Sequence, residues 1–277
     1  MEPRHARTRP QHVTVARVVA VVAVLALLVA GIVVFTRSDN RRPSPSCNAK
    51  SSLDHVTLDL AQSANATTIA AVGKRLGMPD HAVTVALAAA LQESRLRNLP
   101  GGDRDSLGLF QQRPSQGWGS SAQLMQPPYA AAAFYRALAK VPDWAGMSVT
   151  EAAQAVQRSS APNAYARWES DARTLAIAMT GQVAGGFTCR FDVPSTTAGA
   201  SVLTGALTAE LGSPATGQAV PAARGWTVAS WLVGHASQYG ITSVAFAGLS
   251  WSPASGAWSP AAGASQQVTY RLASVAA

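Results

Sequence analysis

Residues 86–119 read ALAAALQESRLRNLPGGDRDSLGLFQQRPSQGWG, and this stretch decides the fold of the chain. Its first part belongs to an almost uncharged run, Ala82–Leu91, which predicts a helix buried in the core. Glu93 follows at the end of that helix. Poor solvation favours the protonated form of a carboxyl in such a position, so Glu93 can serve as the general acid that cleavage of a glycosidic bond requires. A helix-end glutamate that faces water is the alternative, and spacing alone does not decide between the two.

The composition and the distribution of charge exclude some classes of protein. The chain has 277 residues, of which 48% are hydrophobic and 13% are charged, enough for one or two domains with a core. Its net charge is +8, and residues 1–47 carry seven arginines against only two acidic side chains. This excess flanks an apolar segment and forms no separate basic face, which excludes a nucleic-acid binder and indicates a membrane surface as the partner.

An apolar segment near the N-terminus predicts a membrane anchor. Val18–Phe35 contains no charged residue and lies between Arg17 and Arg37. As a helix it would be about 27 Å long, just enough to cross a bilayer core, whereas the apolar run of a cleavable signal peptide, the alternative, is usually shorter. We therefore predict a single-pass protein of the cell membrane with its N-terminus inside and its bulk extracytoplasmic, composed of a cytoplasmic basic tail at 1–17, a transmembrane helix at 18–36 and a linker at 37–46.

Two cysteines, Cys47 and Cys189, enclose a block of uniform composition. In an oxidising compartment they would form a disulfide that joins the two ends of the block. Two free buried thiols are the alternative. A disulfide that closes a loop of roughly 140 residues stabilises the fold by about 5 kcal/mol if the effect is purely one of chain entropy.

Helical periodicity dominates between the cysteines. Asp80 suits the N-cap of the buried helix, and Ser148 with Glu151 matches a capping box for a later one. Residues 98–123 are rich in Gly, Ser, Asp and Gln and form the longest irregular stretch, which we expect to be a functional loop.

The chain changes character after the second cysteine. Residues 191–224 are rich in Ala, Gly, Ser, Thr and Pro and predict a linker with a short helix near Leu203–Leu211. Residues 225–277 predict a small α/β accessory domain, in which a helix is followed by strands at Thr242–Trp251 and Gln266–Leu272.

Two stretches resemble a known family. Residues 86–119 and Ala152–Ala176, the latter reading AAQAVQRSSAPNAYARWESDARTLA, resemble the lysozyme-like lytic transglycosylase domains of actinobacterial cell-envelope proteins. The resemblance spans about half of the chain, and its specific part is Glu-Ser followed by Gly-Leu-Phe-Gln. It implies a mainly α (α+β lysozyme-like) catalytic domain at 47–190. It also implies an enzyme that needs no cofactor and cleaves the glycosidic bond between N-acetylmuramic acid and N-acetylglucosamine in peptidoglycan glycan strands.

The resemblance assigns roles to single residues. Glu93 matches the catalytic acid of the family, the segment Gly108–Gln111 matches the Gly-Leu-x-Gln that faces this acid across the cleft, and Tyr165 matches a tyrosine close to the catalytic carboxyl. Amide side chains can pair with N-acetyl groups, and aromatic rings can stack on sugars. The predicted substrate-binding residues are Phe110, Gln111, Gln112, Trp118 and Tyr165.

The reaction type stays open at this point. A lytic transglycosylase closes a 1,6-anhydro ring with the sugar's own 6-hydroxyl, so one carboxyl can act first as acid and then as base. A muramidase-type hydrolase needs a second carboxylate to orient water, and Asp103 and Asp105 are the nearby ones. Aspartates in a Gly-rich loop more often cap turns. A third alternative is a non-catalytic peptidoglycan-binding or scaffolding protein that keeps the lysozyme-like fold.

Residues 226–272 carry a weaker resemblance, to the small domain that often follows such catalytic modules and whose fuller versions resemble zinc D-Ala-D-Ala peptidases. Catalytic zinc needs three protein ligands. Here Gln266–Tyr270 contains no histidine, and His235 is the only one in the C-terminal region. The block between the cysteines offers no metal-ligand spacing either, so we predict no metal site and a non-catalytic accessory domain.

Overall fold

The computed structural model of this protein describes residues 21–28, 44–52, 54–192, 199–212, 216–263 and 265–273. The chain divides into two units, Met1–Ser44 and Pro45–Ala277. About half of it is helical, and it contains two antiparallel sheets, so the fold class is α+β.

The first unit corrects the predicted membrane anchor. Among its described residues, 21–28 lie in a helix that we call α1. Within the described residues no helix has the length and apolar character needed to span a membrane, which contradicts the transmembrane helix at 18–36 and the single-pass membrane location. The remaining residues of that segment, the basic tail 1–17 and most of the linker 37–46 lie outside the described residues.

The second unit contains nine helices and seven strands among its described residues. Three short 3-10 turns, at Pro114–Gln116, Trp144–Gly146 and Ala166–Trp168, connect some of them. In chain order the elements are β1 (Ser46–Lys50), β2 (His55–Leu58), α2 (Leu60–Arg75), α3 (Asp80–Ser94), α4 (Ser121–Leu124), α5 (Pro127–Leu138), α6 (Val149–Gln157), α7 (Glu169–Met179), β3 (Phe187–Arg190), α8 (Ala200–Leu211), α9 (Ala222–Gly234), α10 (Ala236–Tyr239), β4 (Ile241–Phe246), β5 (Leu249–Ser252), β6 (Ala257–Pro260) and β7 (Thr269–Leu272).

Helix α3 forms the centre of the core and confirms the predicted buried helix. Its residues from Ala82 to Leu91 are at most 4% exposed, and it packs against α2, α5, α6 and α7. The many alanines leave room for neighbouring helices on all sides, since a methyl side chain keeps the helix axis close to its partners. Pro79, one residue earlier than predicted, is the N-cap, and Arg95 ends the helix in the left-handed conformation. The predicted capping box of Ser148 and Glu151 is also confirmed, at the start of α6.

A small sheet closes the block between the cysteines. Its strand order is β2-β1-β3, entirely antiparallel, and Cys47 lies directly opposite Cys189 in the pairing of β1 with β3. The two cysteines form a disulfide, which confirms that prediction. The helical periodicity of this block does not predict the sheet, and its strands correct the expectation of a mainly α domain. The disulfide therefore joins neighbouring strands rather than loose chain ends.

The second sheet corrects the predicted α/β character of the C-terminal region. Its order is β6-β5-β4-β7 with every pair antiparallel, so the region is α+β. The sheet and α9 pack on the first part of the unit, where Trp251 Nε1 donates to the carbonyl of Cys189 at 3.0 Å and Trp258 Nε1 donates to that of Phe187 at 2.8 Å. Helix α8 lies inside the segment predicted as a linker at 191–224. The predicted boundaries at 190, 224 and 225 stay predictions.

Candidate active site

Glu93 lies one residue before the end of α3 and is partly buried. The hydroxyl of Tyr165 donates a hydrogen bond of 2.8 Å to its Oε1. Tyr165 is 0% exposed and precedes the 3-10 turn that leads into α7. Burial and the neighbouring charge of Glu93 raise the pKa of Tyr165 above its ordinary value, so the phenol stays protonated and remains a donor. The structure thus brings together two residues that are 72 positions apart, and it fixes the orientation of the carboxyl.

Ser94 attaches the loop segment Gly108–Gln111 to the end of α3. Its hydroxyl lies 2.7 Å from the carbonyl oxygen of Leu109 and 3.1 Å from that of Ala90, and it donates to both. Gly108 has a φ of +74°, and a Cβ at this position would lie 2.5 Å from the carbonyl oxygen of Leu124. Only glycine fits such a position. The Glu-Ser and Gly-Leu-Phe-Gln motifs of the sequence are therefore in direct contact.

Two further predicted sugar-binding residues are, like Tyr165, buried in the core. Phe110 is buried and stacks on Phe134 with ring centroids 4.8 Å apart. Gln112 is 2% exposed, and its Nε2 donates to the carbonyl of Ala130 at 3.3 Å. The side chain of Gln111 is partly exposed and donates to the carbonyl of Gly108 at 3.2 Å. Of these three predicted residues, only Gln111 lies where a sugar can reach it.

The two aspartates predicted as a second carboxylate have other roles. Asp105 Oδ1 accepts from Arg113 Nε at 2.6 Å, and its Oδ2 accepts from the backbone N–H of Ser115 at 2.8 Å. The bonds from Ser115 and Arg113 hold the pKa of Asp105 well below its usual range. The side chain of Asp103 is 93% exposed and lies 4.0 Å from Arg104. Asp105 is therefore a structural anchor of the loop, and Asp103 lies in solvent.

A cluster of polar and aromatic side chains next to Glu93 is not predicted from the sequence. Gln92 Oε1 accepts hydrogen bonds from Arg167 Nη2 at 2.8 Å and from Trp168 Nε1 at 3.0 Å. The guanidinium of Arg95 lies 4.1 Å from the ring centroid of Trp168. Helical periodicity places Trp168 on a core-facing stripe. Its position three residues after Tyr165 is the signal in the sequence that it lies near Tyr165 and Glu93.

Trp118, the remaining predicted residue, lines a cleft of about 1030 Å³ together with Tyr129 and Gln157. The Tyr129 hydroxyl donates to the carbonyl of Trp118 at 3.2 Å. Glu93 is not among the lining residues. The wall of the cleft contacts the loop segment Gly108–Gln111, since Gln157 Nε2 donates to the carbonyl of Phe110 at 2.9 Å. Two residues further on, the side chain of Ser159 slightly lowers the pKa of Tyr165, against the larger effects of burial and of Glu93.

Comparison with known proteins adds no family to this geometry. No protein-family model matches the chain, and no curated protein sequence matches it. The resemblance to lysozyme-like transglycosylases therefore stays a prediction, and a proposal for function depends on the residues of the site.

Proposed function

We propose that this protein is a lytic transglycosylase that cleaves the bond between N-acetylmuramic acid and N-acetylglucosamine in peptidoglycan strands. The observation that carries the proposal is the 2.8 Å hydrogen bond from Tyr165 to Glu93 Oε1 at the end of a buried helix. Among the described residues Oε2 has no hydrogen-bond partner, so it is the oxygen available to substrate. The Cys47–Cys189 disulfide is typical of the oxidising, extracytoplasmic compartment in which peptidoglycan lies.

The reaction needs only one carboxyl. Glu93 donates its proton to the glycosidic oxygen, the bond from that oxygen to C1 of the muramyl sugar breaks, and positive charge grows at C1. The carboxylate then accepts the proton of the muramyl 6-hydroxyl while O6 forms a bond to C1. Glu93 is restored and no water is consumed. The products are a 1,6-anhydromuramyl end and a free 4-hydroxyl on N-acetylglucosamine.

The surroundings of Glu93 favour a lyase over a hydrolase. A hydrolase needs a second carboxylate to activate or orient water. Asp105 is engaged by Arg113 and by the backbone of Ser115, and Asp103 is exposed to solvent. Intramolecular attack by the 6-hydroxyl requires no such group, because nucleophile and electrophile belong to one molecule.

Replacement of the acid tests the proposal. Glu93→Gln keeps the shape of the side chain and its acceptor for Tyr165 but removes the proton, so we expect release of soluble fragments from purified peptidoglycan to fall at least about 100-fold. Fragments are quantified by chromatography and mass spectrometry, and folding is checked by thermal unfolding.

Glu169→Gln is the matched control, because Glu169 is a partly exposed glutamate near the start of α7 that pairs with Arg173 on the same helix. It should retain wild-type activity. Equal fragment release by wild type and Glu93→Gln would refute the role of Glu93. Tight strand binding by the wild type with no fragments at all would establish the glycan-binding alternative instead.

A further inference from the structure

The charged residues that line the cleft of Trp118 and Tyr129 are all positive. Three of its lining residues are cations, namely Arg136, Lys140 and Arg158, and none of its lining residues is Asp or Glu. Clefts lined by one sign of charge concentrate the field and attract ions of the opposite sign. The cleft therefore favours an anionic occupant.

These three cations have no counter-charge of their own in the part of the chain that the structure describes. All are exposed, and no carboxylate of a described residue lies within ion-pairing distance of any of them. The guanidinium of Arg136 lies 5.8 Å from the ring centroid of Tyr129, which holds it against the cleft wall. Their donors are thus available to a bound anion.

The size and the walls of the cleft indicate a polymer rather than a small ion. A volume of about 1030 Å³ lies at the upper end of the range for sites that hold drug-sized ligands, far beyond the needs of a single anion. Trp118 and Tyr129 offer aromatic surface of the kind that packs on sugar rings. Cations beside aromatic rings suit a glycan that carries acidic substituents.

The wall of the cleft is connected through hydrogen bonds to the surroundings of Glu93. Gln157 lines the cleft and donates to the carbonyl of Phe110, and the carbonyl of Leu109 in the same segment accepts from Ser94, the neighbour of Glu93. The wall of the cleft is thus joined to the end of α3 that carries Glu93. Muramyl sugars carry a lactyl ether extended by a peptide stem, and free carboxylates on that stem supply the negative charge.

We propose that this cleft binds the carboxylate-bearing peptide stems of the strand that Glu93 cleaves, so that the protein selects anionic muramyl strands over neutral polymers of N-acetylglucosamine. Guanidinium groups suit this role because their paired N–H donors match a carboxylate. The inference rests on the proposed function for the identity of the strand, whereas the charge of the cleft is independent of it.

Binding measurements with the full chain test this inference. The Glu93→Gln background prevents turnover, and the probes are a muramyl tetrasaccharide with intact acidic stems and neutral chitotetraose. Lys140→Gln and Arg158→Gln should each weaken binding of the acidic tetrasaccharide about three- to tenfold at low salt and leave chitotetraose binding unchanged. The preference for the acidic ligand should shrink as salt is added.

Arg271→Gln is the matched control, since Arg271 is an exposed arginine on β7 outside the cleft lining, and it should bind both ligands as the parent does. Lys140→Arg, which keeps the charge, should retain the preference for the acidic ligand that Lys140→Gln loses. Unchanged binding in both cleft variants, or an equal loss for acidic and neutral ligands, would overturn the inference. Charge-dependent binding of a glycerol phosphate oligomer, without any for the acidic tetrasaccharide, would overturn it in favour of a phosphate polymer.

Failure of this inference is distinguishable from failure of the proposed function. If the wild type cleaves acidic strands and chitotetraose equally well, the cleft assignment alone fails. If the wild type cleaves neither, the proposed function fails, and the binding comparison still reports on the cleft.

Discussion

At the scale of single residues, the hydroxyl of Tyr165 engages Oε1 of Glu93 and leaves Oε2 without a hydrogen-bond partner among the described residues. Tyr165→Phe removes the 2.8 Å hydrogen bond and keeps the buried ring. The carboxyl can then rotate, so we expect kcat on soluble muropeptides to fall about tenfold with little change in KM. Stability should fall by only about 1 kcal/mol, because one hydrogen bond is lost and no cavity forms.

A double variant that combines Tyr165→Phe with Glu93→Gln tests whether Tyr165 positions Glu93 or only supports the fold. Once the proton donor is gone, a positioning residue has nothing left to position, so the double variant should be no less active than Glu93→Gln alone. A further loss of activity in the double variant would show that Tyr165 does not act through Glu93. A higher KM with an unchanged kcat in Tyr165→Phe would show the same.

The resemblance places Tyr165 beside Glu93, as the structure does, but the sequence does not reveal how the surrounding side chains are oriented. Glu93 is recognisable because a charged residue ends an apolar helix, and Ser94 because it follows directly. Phe110 and Gln112 have the right chemistry for sugars, yet the loop turns both into the core. The direction of a loop side chain depends on backbone angles such as the positive φ of Gln111, which local composition does not reveal.

At the scale of elements, the loop after α3 depends on one glycine. Gly108→Ala would place a Cβ 2.5 Å from the carbonyl oxygen of Leu124 in a backbone conformation that favours glycine. We expect a loss of at least about 2 kcal/mol in the free energy of unfolding, together with reduced activity, because the segment tied to Ser94 must shift.

Gly101→Ala provides the comparison within the same loop. Nothing lies within 4 Å of a Cβ at Gly101, so this variant should match the wild type in denaturant unfolding and in activity. If Gly108→Ala behaves in the same way as Gly101→Ala, the loop does not depend on the close approach at Gly108.

Long-range pairing explains which elements the sequence misses. Helix α3 is predictable because Ala82–Leu91, the middle of its fifteen residues, form an uncharged and mainly apolar run. Strands β1, β2 and β3 have only four or five residues each, and β1 pairs with β3 across a separation of 142 positions at the cysteines. Short strands with distant partners leave no local periodicity, and their sheet forms only when the helices between them are packed.

At the scale of the whole unit, buried polar groups join α8 and α9 to α2. Glu210 Oε2 accepts from Thr68 Oγ1 at 2.6 Å and from Trp231 Nε1 at 2.7 Å. His235 Nε2 lies 3.3 Å from Thr68 Oγ1, and its ring stacks on Trp231 with centroids 4.1 Å apart. The C-terminal region is therefore attached through a network that contains two ionisable side chains.

This network predicts a pH dependence of stability. Burial lowers the pKa of His235 below its ordinary value of 6.5, against an opposing effect of Glu210. The unfolded chain then binds more protons than the folded one below pH 6.5, so the stabilisation is complete above that value and is lost as the pH falls. We expect the Tm to decrease between about pH 7.5 and 5.5, and the decrease to be smaller in His235→Gln.

His55→Gln serves as the control, because His55 lies exposed on β2. Thermal unfolding should show the wild-type slope in this variant. A slope in His235→Gln as steep as that of the wild type would mean that the buried imidazole does not determine the pH response.

Cleavage by Glu93 without water is tested by digestion of purified peptidoglycan in water enriched in oxygen-18. Mass spectrometry of the new muramyl ends identifies the nucleophile. We expect 1,6-anhydro ends without the heavy isotope from the wild type and almost no new ends from Glu93→Gln. Reducing ends that carry oxygen-18, or a wild type that releases no fragments, would contradict this mechanism.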